Sequence, residues 1–175
     1  MKVAIIGAGP LGRWLALRAA RSGFGVFLED VMPSTLHHAR ETIRRQLSAE
    51  ALGHEHVAFV STIEDAVRTA ELIIDCVPDE LESKLEILWL LDRMAPPQAI
   101  FATPTTQLSI ADLSGCTYRP QQCIAIAAAP AVMAALEPGA SIPLRPAPAT
   151  SESTIQQVSA FWRKAGFVPE ILPAN

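Results

Sequence analysis

Short apolar runs alternate with helix-period stretches along this chain. Val3 to Ile6 is a run suited to a strand; it breaks at Gly7-Ala8-Gly9-Pro10-Leu11-Gly12, continues as a helical pattern to Ser22, and returns as a second apolar run ending in Glu29-Asp30. Ser34 to Leu52 predicts a helix, with Gly53 as its C-terminal cap. Val57 to Val60 predicts a short strand, Glu64 to Thr69 a brief helix, and Leu72 to Val77 a strand apolar enough to be buried on both faces. Pro78 ends that run. Glu80 to Met94 predicts a helix, Ile100 to Thr103 a strand, and Cys123 to Ala128 another buried strand. Residues 137–150 hold Pro138, Pro143, Pro146 and Pro148, a density that excludes helix and central strand and predicts an edge strand or an irregular loop. A last helix opens at Thr150 to Thr154 and runs to about Lys164, with Gly166 as its stop and Val168 to Leu172 as a final strand. The alternation predicts an α/β fold, a doubly wound and mostly parallel sheet in a single domain over residues 1–175, with no internal repeat.

Composition narrows the classes of partner. Half of the residues are hydrophobic and 18% are charged, so part of the surface is expected to be covered by something else, such as a second copy or another subunit. A net charge of −4 without Lys/Arg clusters argues against nucleic acid or an anionic membrane as partner. The apolar runs are too short to span a bilayer. Lys2 and the run after it superficially resemble a signal peptide, but the run stops at Gly7 and is needed as the first strand, so a cytoplasmic protein is expected. Cys76, Cys116 and Cys123 show no paired spacing and are expected to be small buried hydrophobes. His37-His38 and His54-x-His56 lack the further ligands that a metal shell needs.

The first strand-helix-strand unit carries the chemistry. Gly7 permits the tight turn out of the strand, Gly9 removes the Cβ that would block a pyrophosphate, and Gly12 lets the helix lie close on the sheet. The helix then starts with free N–H groups aimed at the phosphates. Asp30 stands 30 − 12 = 18 residues after the last glycine, where a carboxylate accepts both ribose hydroxyls of an adenosine and repels a 2′-phosphate. The expected cofactor is therefore NAD rather than NADP.

With these residues in place, the chain resembles the 3-hydroxyacyl-CoA dehydrogenases over nearly its whole length. The resemblance is carried by the glycine fingerprint, Asp30, the stretch from Asp75-Cys76-Val77-Pro78-Asp79-Glu80 to Lys84, Ala95 to Thr103 followed by Leu108-Ser109-Ile110, Arg119-Pro120 before Cys123-Ile124, and Pro148-Ala149-Thr150-Ser151-Glu152. It implies a place in fatty acid metabolism and a cofactor-contacting set of Gly7, Gly9, Pro10, Leu11, Gly12, Asp30, Val77, Pro78, Asp79, Lys84 and Thr103, with Asp79 and Lys84 at the nicotinamide ribose. An acid on the first turn of a helix also favours the helix dipole, so Asp79 has a purely structural reading too. The family's general base is a histidine oriented by a glutamate, and the resemblance puts Ala127 at the histidine position. Alanine cannot accept a proton. The glutamate position falls on Glu137 by local similarity and on Pro143 by counting back from Thr150-Ser151. Thr106 stands at the position of a serine that holds the substrate oxygen, Pro104 replaces an asparagine, and the asparagine expected before Pro130 is missing. The stretch from Asp30 to Val57 has room for one helix and not for the coenzyme A arm, and the sequence stops where the family's helical domain begins.

The expectation is a NAD-binding module with its dehydrogenase machinery largely lost and a cofactor-binding or regulatory role. The alternatives are a NAD-dependent oxidoreductase acting on a small hydroxy or keto substrate, with Thr106 binding oxygen and Asp79 or Lys84 moving the proton, or one subunit of a split dehydrogenase. A homodimer is expected from the helix Glu80 to Met94, where Leu81, Leu85, Ile87, Leu88, Leu90, Leu91 and Met94 spread over more than half the circumference and Ile87, Leu90 and Met94 are the candidate contacts.

Overall fold

The structure is a computed structural model that describes residues 1–53 and 56–174, so the His54-x-His56 reading falls partly outside the described residues. In chain order the elements are β1 (Lys2–Ile6), α1 (Pro10–Arg21), β2 (Gly25–Glu29), α2 (Pro33–Ala49), β3 (Val57–Val60), α3 (Ile63–Val67), β4 (Leu72–Asp75), α4 (Leu81–Met94), β5 (Ile100–Pro104), α5 (Ile110–Ser114), β6 (Cys123–Ile126), α6 (Pro130–Met133), β7 (Ser141–Pro146), α7 (Glu152–Lys164) and β8 (Val168–Ile171). They build one eight-stranded sheet in the order β3-β2-β1-β4-β5-β6-β7-β8, in which all pairs are parallel except the antiparallel β6–β7.

The strands that read as continuous apolar runs are the ones covered on both faces. Every residue of β4, β5 and β6 is buried. One face carries Leu11 and Leu15 of α1, Ile43 and Leu47 of α2, and Val158, Phe161 and Trp162 of α7. The other carries Val67 of α3, Ile87, Leu88 and Leu91 of α4, and Ile110 and Leu113 of α5. Alternating strand residues feed these two cores, as the period of 2 requires. The order in which strands are added reverses between β1 and β4, which lie side by side and parallel inside the sheet. Open α/β sheets bind ligands in the crevice at the carboxyl ends of such a pair.

Three expectations need correction. Residues 141–146 form β7, which has neighbours on both sides and is not an edge. The prolines fit because of where their missing donors fall. Leu144 accepts from Leu172 and so faces β8, which leaves Pro143 facing β6; Pro143 accepts from Ala127, one residue beyond the end of β6. By the same alternation, the absent N–H of Pro146 points past the end of β8. The second correction concerns α2, which ends at Ala49 with Glu50 as its C-cap, not at Leu52 with Gly53. Ala51, at φ +55, takes the left-handed position usually filled by glycine, and Leu52 N–H bonds back to the Leu47 carbonyl. Third, Ile87 is 6% exposed and packs within the chain, so it is not available as an interface contact; Leu81, Trp89 and Met94 are the exposed apolar residues of α4. The short helices α5 and α6 are not among the expected elements, although Ser109, which caps α5 by accepting from the Asp112 N–H, was a signal for the first of them.

Among the described residues no helix is long and apolar enough to cross a membrane, and no three His, Cys, Asp or Glu side chains converge as a metal site.

Candidate cofactor site

A cleft of about 390 Å³ opens where β1 and β4 diverge, lined by Gly9 to Gly12, Cys76 to Pro78, and Pro130, Ala131 and Ala134. Its three segments follow β1, β4 and β6. Gly7 turns the chain out of β1 at φ +103. A Cβ on Gly12 would stand 1.8 Å from the Gly7 carbonyl oxygen, whereas a Cβ on Gly9 would meet nothing within 4 Å. Gly12 therefore serves the fold, and Gly9 keeps open the space that a bound phosphate would fill. Pro10 starts α1 with a preset φ, and the helix has neither a side-chain cap nor an acid in its first turn. Its end is left as an anion site, which fits the pyrophosphate of a dinucleotide.

Asp30 lies beside this loop at the end of β2. Its Oδ2 accepts from the Ala8 N–H at 2.9 Å and its Oδ1 from the Met32 N–H at 2.9 Å, so the carboxylate is oriented by backbone on both sides. Next to it is a second, smaller cavity of about 190 Å³, lined by Ile6, Gly7, Glu29, Asp30, Val31, Ile63, Val77 and Ile87. Glu29 is buried there, and burial together with the Asp30 charge pushes its carboxyl up to about 7. Sequence reasoning passed over Glu29. An acid with inward alternation at the end of an apolar strand was the available signal.

Asp79 and Thr106 are brought together: Asp79 Oδ2 accepts from the Thr106 N–H at 3.0 Å, while Oδ1 is buried without a partner. Val77 and Pro78 line the main cleft. Thr103 is buried in β5 with an unpartnered hydroxyl and does not line the cleft. Lys84 turns inward. It is fully buried on α4 with Nζ 2.5 Å from Asp75 Oδ1, so a contact with a ribose would require it to leave that partner. Glu137 is exposed and pairs with Arg18, about two turns along α1 from the glycine loop, so it is not assembled with Thr106 and Asp79. Pro143 stands in β7 and offers no acid. Ala127 donates its N–H to the Pro143 carbonyl just beyond β6 and brings no titratable group. Cys76, on the cleft wall, has its thiol pushed up by burial and by the neighbouring Asp75 charge, which keeps it protonated at neutral pH. Cys123 is also raised, to about 11, by burial.

A sheet of order 3-2-1-4-5-6 with a glycine cradle at its switch point and an acid at the end of the second strand defines a dinucleotide-binding domain of the dehydrogenase type. The chain belongs to the family of the 3-hydroxyacyl-CoA dehydrogenase NAD-binding domain, whose model matches residues 2–171. It is 30% identical to the human lambda-crystallin homolog over 95% of this chain and 55% of that protein, and 32% identical to a 3-hydroxybutyryl-CoA dehydrogenase of Bradyrhizobium diazoefficiens over 71% of this chain and 46% of that protein. The solved structure of a diketoreductase superposes with a TM-score of 0.86 at 26% identity, covering 100% of this chain and 65% of that one. The chain spans about half the length of the curated relatives it matches.

Proposed function

We propose that this chain binds NAD as a module whose own residues do not complete a 3-hydroxyacyl-CoA dehydrogenase, and that its role is cofactor binding or regulation of a partner. The observation that carries the reading is the segment beyond β6, where Ala127-Ala128-Ala129 offers only methyl groups and where the resemblance puts the family's histidine base. A positioned base contributes typically ~10²–10⁴-fold, and its loss leaves NAD, which supplies hydride transfer when bound, without a group to move the hydroxyl proton. The residues that would hold the cofactor are the 9–12 loop at the pyrophosphate and Asp30 at the adenosine ribose. The test is NADH consumption with acetoacetyl-CoA by the purified chain. No turnover is expected, and Ala127→His is expected to leave that result unchanged; turnover above ~1 s⁻¹ would overturn the reading.

A second reading is favoured by one observation, the unpartnered Oδ1 of Asp79 beside Thr106. In that reading the chain is a NAD-dependent oxidoreductase on a small hydroxy or keto compound, Thr106 holds the substrate oxygen and Asp79 takes the proton. Turnover in a panel of such substrates, abolished by Asp79→Asn with NAD affinity retained, would establish it. A subunit of a split dehydrogenase, completed by another polypeptide, is the reading supported if activity emerges only on adding a partner.

A further inference from the structure

Two successive peptide groups in the turn between β1 and α1 are held by charged side chains. Ala8, which is fully buried, donates its N–H to Asp30 Oδ2 at 2.9 Å and accepts through its carbonyl from Arg13 Nη1 at 3.1 Å. The Ala8 carbonyl and the Gly9 N–H belong to one planar trans peptide and point in opposite directions. With the guanidinium fixed on the carbonyl side, the N–H is aimed the other way. Gly9 lines the main cleft, and its N–H has no partner among the described residues. A backbone donor left free beside a cleft is a donor available to a ligand.

Arg13 has no other evident task. It is half-buried at the fourth position of α1, forms no ion pair among the described residues, and has no acid beside it in the first turn. A cation so near the positive end of a helix dipole is unfavourable for the helix. Its own N–H bonds to the Gly9 carbonyl at 3.0 Å, so main chain and side chain of one residue fasten two successive carbonyls of the turn. The glycine fingerprint prescribes nothing at the position after its last glycine, so this contact belongs to the chain and not to the motif.

We propose that Arg13 is a positioning residue of the phosphate cradle, which through the Ala8–Gly9 peptide orients and polarises the Gly9 N–H as a donor to the pyrophosphate. The inference rests on the reading of the cleft as the NAD site. A cationic donor on the carbonyl draws charge along the amide and makes the N–H at its far end a stronger donor. The guanidinium stands one peptide group away from the ligand, so the phosphates gain its field while the space that Gly9 keeps open stays empty of side chain. Their negative charge in turn offsets the penalty that Arg13 meets at the helix start.

The test is calorimetric binding of NAD, of ADP-ribose and of adenosine, which lacks phosphates. Arg13→Leu is expected to weaken NAD and ADP-ribose alike, by about 3- to 10-fold, the span of one ordinary hydrogen bond, and to leave adenosine unchanged. Arg13→Lys, which keeps a charged donor, should recover most of the loss. In the ligand-free protein the Gly9 amide proton should move upfield in the nitrogen-correlated NMR spectrum of Arg13→Leu and return in Arg13→Lys. Should the leucine variant not fold, Arg13→Gln makes the same comparison with the charge removed and a neutral donor kept. Unchanged NAD affinity in the folded variant would overturn the role of Arg13 while leaving the NAD site intact, and so would an equal loss with adenosine, which would mean that the whole turn had loosened. Absence of NAD binding by the unmodified chain would overturn the cofactor reading and this inference together.

Discussion

Gly9 and Gly12 share one motif but serve different ends, and substitution separates them. Gly12→Ala drives a methyl into the Gly7 carbonyl at 1.8 Å, a backbone atom that cannot step aside, so a loss of stability of roughly 1–3 kcal/mol or more is expected in urea unfolding. Gly9→Ala meets open space and should unfold within about 0.5 kcal/mol of the parent, yet lose NAD binding because the methyl occupies the phosphate position. Equal stability of the two variants would contradict this division. Glu29 gives a second residue-scale prediction. Its folded-state value of about 7 lies above the ordinary 4.5, so the folded form holds a proton that the unfolded chain has released between those values. Stability should therefore fall as pH rises from about 4.5 and level off above about 7, a penalty of order 3 kcal/mol that Glu29→Gln removes. Chemical denaturation should show the variant more stable than the parent at pH 8 and indistinguishable near pH 4.5. The glycines and Asp30 were legible in the sequence because their roles depend on local backbone geometry. The state of Glu29 was not, since it is set by Ile63, Val77 and Ile87, which lie far from it along the chain.

At the scale of elements, α4 is held by charge at both ends. Near its start Lys84 reaches Asp75 at the end of β4; near its finish Asp92 takes the Arg119 Nε at 2.6 Å and the Tyr118 N–H at 2.8 Å, tying the segment before β6 to the same helix. The first of these clamps brackets the 76–80 loop, whose Cys76, Val77 and Pro78 form one wall of the cleft. Removing one partner strands a buried charge, so Lys84→Met should destabilise the protein by about 3–5 kcal/mol, while Lys84→Met combined with Asp75→Asn should recover much of that loss. Denaturation of the double-mutant cycle measures it, and NAD affinity of the folded double variant decides whether Lys84 also serves the ribose. The order of the strands and the longer helices was readable from periodicity, including the buried runs of β4 and β6, whereas α5 and α6 were not. Proline density misled at β7, because what a proline costs a sheet depends on whether its missing donor faces a partner, and Pro143 and Pro146 face the ends of their neighbours. The burial of Lys84 was not legible either, since its partner Asp75 is identified only once β4 and α4 pack.

For the whole molecule, the cleft draws its walls from the turns after β1, β4 and β6, so a bound dinucleotide bridges both halves of the sheet and belongs to the folded state alone. Linkage then makes occupancy visible as stability. At a free concentration 100 times Kd, a ligand that binds only the folded form adds ~2.7 kcal/mol, which for a chain of this size raises the melting temperature by roughly 5–10 °C. NAD should produce that shift in a thermal melt. NADP at the same concentration should produce far less, because its 2′-phosphate meets Asp30, which the Ala8 and Met32 N–H groups hold in place. Asp30→Ala should shrink the NAD shift by removing charge-assisted bonds of ~1.5–3 kcal/mol and narrow the gap between the two cofactors, while Gly9→Ala should abolish both shifts. An NADP shift equal to that of NAD in the unmodified chain would show that Asp30 does not set the preference, and no shift with either would mean that the cradle is closed to dinucleotides.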